Sequence, residues 1–344
     1  MSAIGPYLQL ALEQAPNYEG GSSAVSSNVF YPPLETIKDD DKPTMLEEQN
    51  VIRGFLARMP HLGVAEYNPD WQFGKIHARP SHLGFFLAAM LGSWTTTAGN
   101  GTTVTDPDAV AVPTGAYKHV FTFRFATEPQ TLQAIACSGD GKHRKATGVA
   151  LNDLAFSWQN GAMVLDPTAL ALYTGDIADP SVTPVVDLTM PFRQGDMTLT
   201  WLGSSALTRA FDFKFNAPLE TVRSPVHASL YPTDVWYKNG ELPYVSGKIS
   251  KATLEAADLA ALYAGGQFAA MIKIVHRQQI GSTGYMPKMW VDMPGCELVG
   301  ITRDDIKAER RREGSYTWES RFDHTTGNLV TVTLVNDTAA YATF

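Results

Sequence analysis

The sequence predicts a mainly β chain with a short helix in each half, arranged as two tandem β-sandwich or barrel-forming domains. Two segments carry that reading, one in each half. They are HVFTFRF at 119–125 and AFDFKFN at 210–216. A strand points successive side chains to opposite faces. Phe121, Phe123 and Phe125 therefore share one face, with Thr122 and Arg124 on the other. Phe211, Phe213 and Phe215 face a core, and Asp212, Lys214 and Asn216 face water. Such strands belong to antiparallel sheets with one buried and one wet face.

The elements follow in order. Residues 1–27, rich in Gly, Ser and Ala, read as an extended arm. Residues 28–37 form a strand that Pro32 and Pro33 push to an edge. Residues 38–50 are polar and acidic and read as an exposed loop. Pro80 and Ser81 open a helix whose apolar run from Leu83 to Leu91 stops at Gly92. Residues 95–105 are a Gly/Thr loop. Strands follow at 118–125, 131–138, 147–158 and 162–172, punctuated by Glu128-Pro129, Gly139-Asp140-Gly141 and Asn160-Gly161. The Gly- and Pro-containing stretch 174–191 is the linker, dividing the chain into domains 1–180 and 181–344. The second half predicts strands at 196–202, 209–216, 219–224, 234–237, 268–277, 287–293, 296–301, 315–323 and 328–336. Its one helix spans 250–263, with Leu254, Leu259 and Leu262 near helical spacing. No residue-level repeat accompanies this recurrence of pattern.

At 344 residues the length fits about two domains. Apolar residues make up 44%, enough for a sizeable core, while charged residues are only 18%, a deficit that fits a surface partly covered by neighbours and equally a polar uncharged surface rich in Ser and Thr. A net charge of −8 disfavours stable binding to DNA phosphates. Cys137 and Cys296 are too few for a disulfide framework and read as buried thiols. The first residues lack the basic region of a signal peptide, and the apolar run 83–91 is too short to cross a bilayer, so the chain is expected to be soluble in the cytoplasm where it is made.

Nothing in the sequence carries a catalytic motif. His77 and His82 are five apart with Pro80 between them, which is not a helical metal pair. Residues 139–145 lack phosphate-loop spacing and read as a basic hairpin tip. Asp39, Asp40 and Asp41 lack the alternation and glycine of a calcium loop. Arg310, Arg311 and Arg312 are flanked by acids and read as a mixed-charge helix turn or loop, a candidate interface. We therefore assign no catalytic residue, cofactor or metal.

The stretch 75–92, KIHARPSHLGFFLAAMLG, resembles a segment of phage tail tube proteins, in which a strand runs into a short helix of the form P-x-x-L-G-x-x-L-x-x-x-L-G. HVFTF at 119–123, Thr131-Leu132, TGVALNDLAFS at 147–157 and VTVTLVN at 330–336 with Tyr341 are similar to that family in the same order. Its N-terminal E-x-x-Y-G-T is matched only by Glu13 to Gly20, with Tyr18-Glu19-Gly20 in place of Tyr-Gly-Thr.

The resemblance implies a structural virion protein of a long-tailed phage, made in the host bacterial cytoplasm and residing in the virion tail. It implies tail-tube-like β domains, stacked homo-oligomeric rings, and tape-measure and terminator proteins as partners. Double-stranded DNA would pass without stable binding, and no membrane is involved. Two tandem modules resemble subunits that form trimeric rings. The lumen-facing candidates are Thr122, Arg124, Asp212, Lys214, Asn216, Thr331 and Thr333. Those for contacts between rings are Asp39, Asp40, Asp41, Glu47, Glu48, Arg310, Arg311 and Arg312. The rival is a β-sandwich carbohydrate-binding module or hydrolase, using Trp71, Trp94, Trp236 and Trp290 as exposed platforms.

Overall fold

A computed structural model describes residues 7–14, 25–32, 37–46, 63–124, 128–137, 143–178, 180, 182–185, 187, 189–206, 208–223, 231–238, 241–251, 256–303 and 314–343. The first half runs β1 (Tyr7–Leu12), β2 (Ile37–Leu46), β3 (Gly63–Phe73), β4 (Ile76–His77), α1 (Pro80–Leu91), β5 (Gly92–Ala98), β6 (Tyr117–Phe123), β7 (Thr131–Cys137), β8 (His143–Gln159), β9 (Ala162–Leu170) and β10 (Tyr173–Ile177). The second runs β11 (Met197–Trp201), β12 (Ser204–Ser205), β13 (Thr208–Asn216), β14 (Leu219–Val222), β15 (Asp234–Tyr237), β16 (Tyr244–Lys251), α2 (Ala256–Ala264), β17 (Phe268–Val275), β18 (Lys288–Arg303), β19 (Gly314–Ser320) and β20 (Thr331–Asn336).

The protein is mainly β; apart from the separate hairpin β14-β15, its main strands form two layers. One is a run of eight strands in the order β2-β3-β9-β8-β13-β16-β19-β18. The other contains β5-β6-β20-β18-β17-β11, together with β1-β7-β8-β10. The layers meet through apolar side chains, with ring centroids 6.3 Å apart for Phe123 and Phe215 and 6.1 Å for Trp201 and Trp318. One buried cluster takes in side chains from both halves of the chain. The helix α1 is apolar on all sides and buried against β5, β6, β8 and β20, as a helix without a polar face must be.

The long strands β8 and β18 belong to both layers, and each changes layer at the same pair of irregularities. The pairing of β7 with β8 steps from Leu132↔Val149 to Ala134↔Ala146, and that of β17 with β18 from Phe268↔Cys296 to Ala270↔Met293. The pairing of β8 with β9 steps over Asn152, and that of β18 with β19 steps over Val299. These are β-bulges, which bend a strand and raise its twist. A glycine occupies the same place in both. A Cβ on Gly148 would lie 2.5 Å from the Leu172 side chain, and one on Gly295 would lie 2.8 Å from the Arg321 carbonyl oxygen.

The surrounding pairings recur too. β1 pairs with β7 as β11 does with β17, β10 with β8 as β20 does with β18, and β2 with β3 as β13 does with β16. β3 meets β9 at Gln72↔Thr168, and β16 meets β19 at Lys248↔Thr317.

Several sequence expectations need correction. Residues 38–46 are not a loop but most of β2, whose backbone pairs with β3; the acidic composition hid a strand that finds its partner through the chain. Of the expected strand at 28–37, Phe30 makes only an isolated bridge to Leu10. Within the N-terminal arm lies β1, and the Gly/Thr loop begins as strand β5. Pro294 and Gly295 do not separate two strands, because the bulge carries β18 through them. Ser250 belongs to β16, so the helix expected at 250–263 is α2 at Ala256–Ala264. The N-cap of α1 is Arg79, while Gly92 ends the helix in the left-handed conformation, with φ of 75°.

Candidate assembly surface

The wet face of the eight-strand layer is built by alternation. Phe211, Phe213 and Phe215 on β13 are buried, which leaves Asp212 exposed and Lys214 half-buried on the opposite face. Antiparallel register sets Asp212 beside Lys248, which stands beside Thr317. Lys214 lies between Ser246 and Ala155, and its ammonium is 3.2 Å from an Asp153 carboxylate oxygen. Glu319 and Glu297 continue the row past Ser246. The face thus carries both signs of charge, with no basic patch to grip phosphates among the described side chains.

Asn216 shares this face with Lys214 and Ser246 but is buried in it. It is 5% exposed, and its amide donates to Ser246 Oγ at 3.0 Å and to the Lys214 carbonyl at 3.1 Å. Satisfying these buried groups is its structural role.

The remaining lumen candidates lie on the other layer. Thr122 is half-buried and directly opposite Thr331. Because Phe123 and Phe215 meet inside the sandwich, the two wet faces point away from each other. A single lumen cannot be lined by both. Thr333 is buried beside Trp290. Arg124 is exposed just beyond the end of β6.

Part of this second face is covered by the segment 99–116. Asp106, 3% exposed, accepts hydrogen bonds from Tyr285 Oη at 2.6 Å and Lys288 Nζ at 2.7 Å. Burial works against its charge, but these bonds win and hold its carboxyl below the ordinary value. Burial, reinforced by Asp106, pushes the Tyr285 hydroxyl up. Asp108 sits 2.7 Å from Lys273 and accepts the indole N–H of Trp290 at 3.4 Å.

Of the candidates for contacts between rings, Asp39, Asp40 and Asp41 lie on β2. Glu47, Glu48, Arg310, Arg311, Arg312 and Phe125 lie outside the described residues. Of the basic segment 139–145, residues 143–145 open β8. The platform residues of the rival reading do not form a surface: Trp71 and Trp290 are buried, Trp94 is partly buried, and only Trp236 is exposed. Among the described residues no group of three His, Cys, Asp or Glu could hold a metal ion, and no helix is long and apolar enough to cross a membrane.

Sequence reasoning missed the two ends of the eight-strand layer. Among the described strands, β2 pairs with β3 alone, and the last residues of β18 pair only with β19. Pro43 in β2 is the one sequence signal of an edge, since proline cannot donate to a ladder.

No curated protein matches the chain. A family model described as phage tail tube protein matches residues 66–275, which is more than half of the chain and runs from β3 through β17. The mainly β architecture, the mixed-charge sheet face and this match converge, and the chain belongs to the phage tail tube protein family.

Proposed function

We propose that the protein is the subunit of stacked rings that enclose the conduit for phage genome delivery. It consists of two tandem tube modules, residues 1–180 and 181–344, and three copies close each ring. The recurrent pairing around β8 and β18 supports the tandem reading, since two unrelated halves have no reason to share bulge positions. The observation that carries the function is the open eight-strand layer with its mixed-charge face. An open sheet with free edges is a liability in a soluble protein, and closure into a barrel removes it.

Asp212 and Lys214 then line the lumen, with Lys248 and Glu319 beside them. Mixed charge in a chain of net −8 lets DNA phosphates slide without lodging. Tape-measure protein inside the tube and a terminator at its end are the partners this role requires. The subunit is made in the host bacterial cytoplasm, before it enters the virion tail.

Electron microscopy of the concentrated protein tests the reading. Rings of three chains, with Asp212 and Lys214 facing the channel, are expected. Rings of six whole chains overturn the tandem-trimer reading. A lumen lined by Thr122 and Thr331 overturns the choice of layer.

A further inference from the structure

Within one chain, the two halves of the eight-strand layer are joined at a seam between β8 and β13. Four pairs make it: Phe213↔Phe156, Lys214↔Ala155, Phe215↔Leu154 and Asn216↔Asp153. The stretch of β18 equivalent to this part of β8 has no such partner among the described strands, and neither has the strand equivalent to β13, which is β2. We propose that these two free edges pair with each other between neighbouring copies, in the register that the internal seam dictates. The proposal rests on the tandem-module reading above and adds the joint between subunits.

The register follows residue by residue. The shared bulges equate Val149 with Cys296 and Leu151 with Leu298, so residues 153–156 correspond to residues 300–303. Thr168 and Thr317 hold the same place opposite those strands, which equates Gln72 with Lys248. Their partners Lys38 and Asp212 are then equivalent, and residues 39–42 correspond to residues 213–216. The predicted joint sets Asp39 opposite Arg303, Asp40 opposite Thr302, Asp41 opposite Ile301 and Lys42 opposite Gly300 of the next copy.

Two features of this register favour it. The four β2 residues can all donate backbone N–H groups, and Pro43, which cannot, falls immediately beyond them. The internal seam is closed by the stacked rings of Phe156 and Phe213, 4.4 Å apart, whereas the corresponding place in the joint has Asp39 and Arg303. An opposite-charge pair directly across two strands favours their pairing. An apolar pair there would leave a sticky edge on every free subunit, whereas charges keep an edge soluble until its partner arrives. The joint is heterologous, one edge meeting a different one, as ring closure requires.

Cysteine cross-linking and charge reversal test the joint. Adjacent antiparallel pairs alternate between the closer non-hydrogen-bonded and the wider hydrogen-bonded spacing, and both Cα separations suit a disulfide. Asp40→Cys with Thr302→Cys, and Asp41→Cys with Ile301→Cys, are oxidised after assembly of the full chain. At least one pair should give a ladder of covalent dimers and trimers on denaturing gels. Asp39→Arg and Arg303→Asp alone should each raise the concentration needed for assembly at least tenfold, with unfolding midpoints close to wild type. The double reversal should restore assembly. Tubes that form with neither pair cross-linking, or a double reversal no better than the singles, overturn the joint and leave the tube reading standing. Wild-type protein that stays monomeric at every concentration overturns both.

Discussion

α1 and α2 occupy the same topological place in the two halves, and they are held in opposite ways. α1 is surrounded: Phe85 and Phe86 are fully buried, and Gly84 lies so close to Tyr341 that an added Cβ would fall 2.0 Å from its ring. Its start is tied to the C-terminal segment, because Asn336 donates to the Pro80 carbonyl at 2.7 Å and to Tyr341 Oη at 2.7 Å. α2 packs only partly buried side chains, Ala261 and Leu262, against the core, and its one buried polar anchor is Asp258. Asp258 receives both carboxylate contacts from Lys251, at 2.9 and 2.8 Å, and the Trp201 indole N–H at 3.2 Å. Beyond that anchor its surface opens, and Tyr263 is 76% exposed. The difference teaches how one layout can be stabilised by packing in one half and by a buried ion pair in the other.

Four measurements break or sharpen that comparison. Phe86→Ala removes a ring from α1 and should destabilise the chain by about 3–5 kcal/mol, read from denaturant unfolding. An unchanged midpoint would mean that α1 is not held by packing.

Asp258→Ala should cost about 3 kcal/mol, because it strands the buried Lys251 ammonium. The double change Lys251→Met with Asp258→Leu should recover most of that loss. If the double is as unstable as the single, the pair does more than neutralise itself.

The third is a pH dependence to which α1 contributes through His82, alongside His119 on β6, whose pKa burial likewise lowers to about 4. His82 is buried, with Asp187 3.8 Å from its Nε2, and burial lowers its pKa to about 4; Asp187 opposes this and Arg79 adds to it. The folded state therefore holds the ring neutral while the unfolded chain protonates near 6.5. Stability from this group is present above pH 6.5 and drains away as pH falls toward 4. Glu13 acts in the reverse sense, since burial raises its carboxyl to about 7 and favours the folded state as pH falls. His82→Gln isolates the first effect. The variant should lose on the order of 1–3 kcal/mol less than wild type between pH 6.5 and 4. Parallel pH profiles would refute the assignment.

The smallest effect belongs to the open side of α2. Tyr263→Ser should change the stability of the free subunit by no more than about 0.5 kcal/mol. A larger loss in unfolding experiments would show that α2 is packed more like α1.

The fold was legible in the sequence where one face is dry and the other wet. The alternating Phe runs at β6 and β13 were visible for that reason, and so was α1, whose apolar run stops at Gly92. β2 was silent. β2 carries three consecutive aspartates, and its strand conformation comes from pairing with β3, which no local pattern records. Of the candidate site, alternation identified the wet positions Asp212 and Lys214. It failed at Asn216 and Thr333, where neighbouring strands and the covering segment bury residues that a single strand would expose. It also could not show that β6 and β13 turn their wet faces in opposite directions, since that depends on which layer each strand joins.

The bent strands β8 and β18 have a mechanical consequence. Each is one unbroken backbone shared by both layers, so the layers cannot slide past each other without tearing ladder hydrogen bonds on both sides of a bulge. In the tube proposed above, shear across the wall would therefore be carried by covalent chain and not by side-chain friction. In that proposed tube, flexing would be left to the joints between subunits, where a shaft can bend while each wall segment keeps its shape.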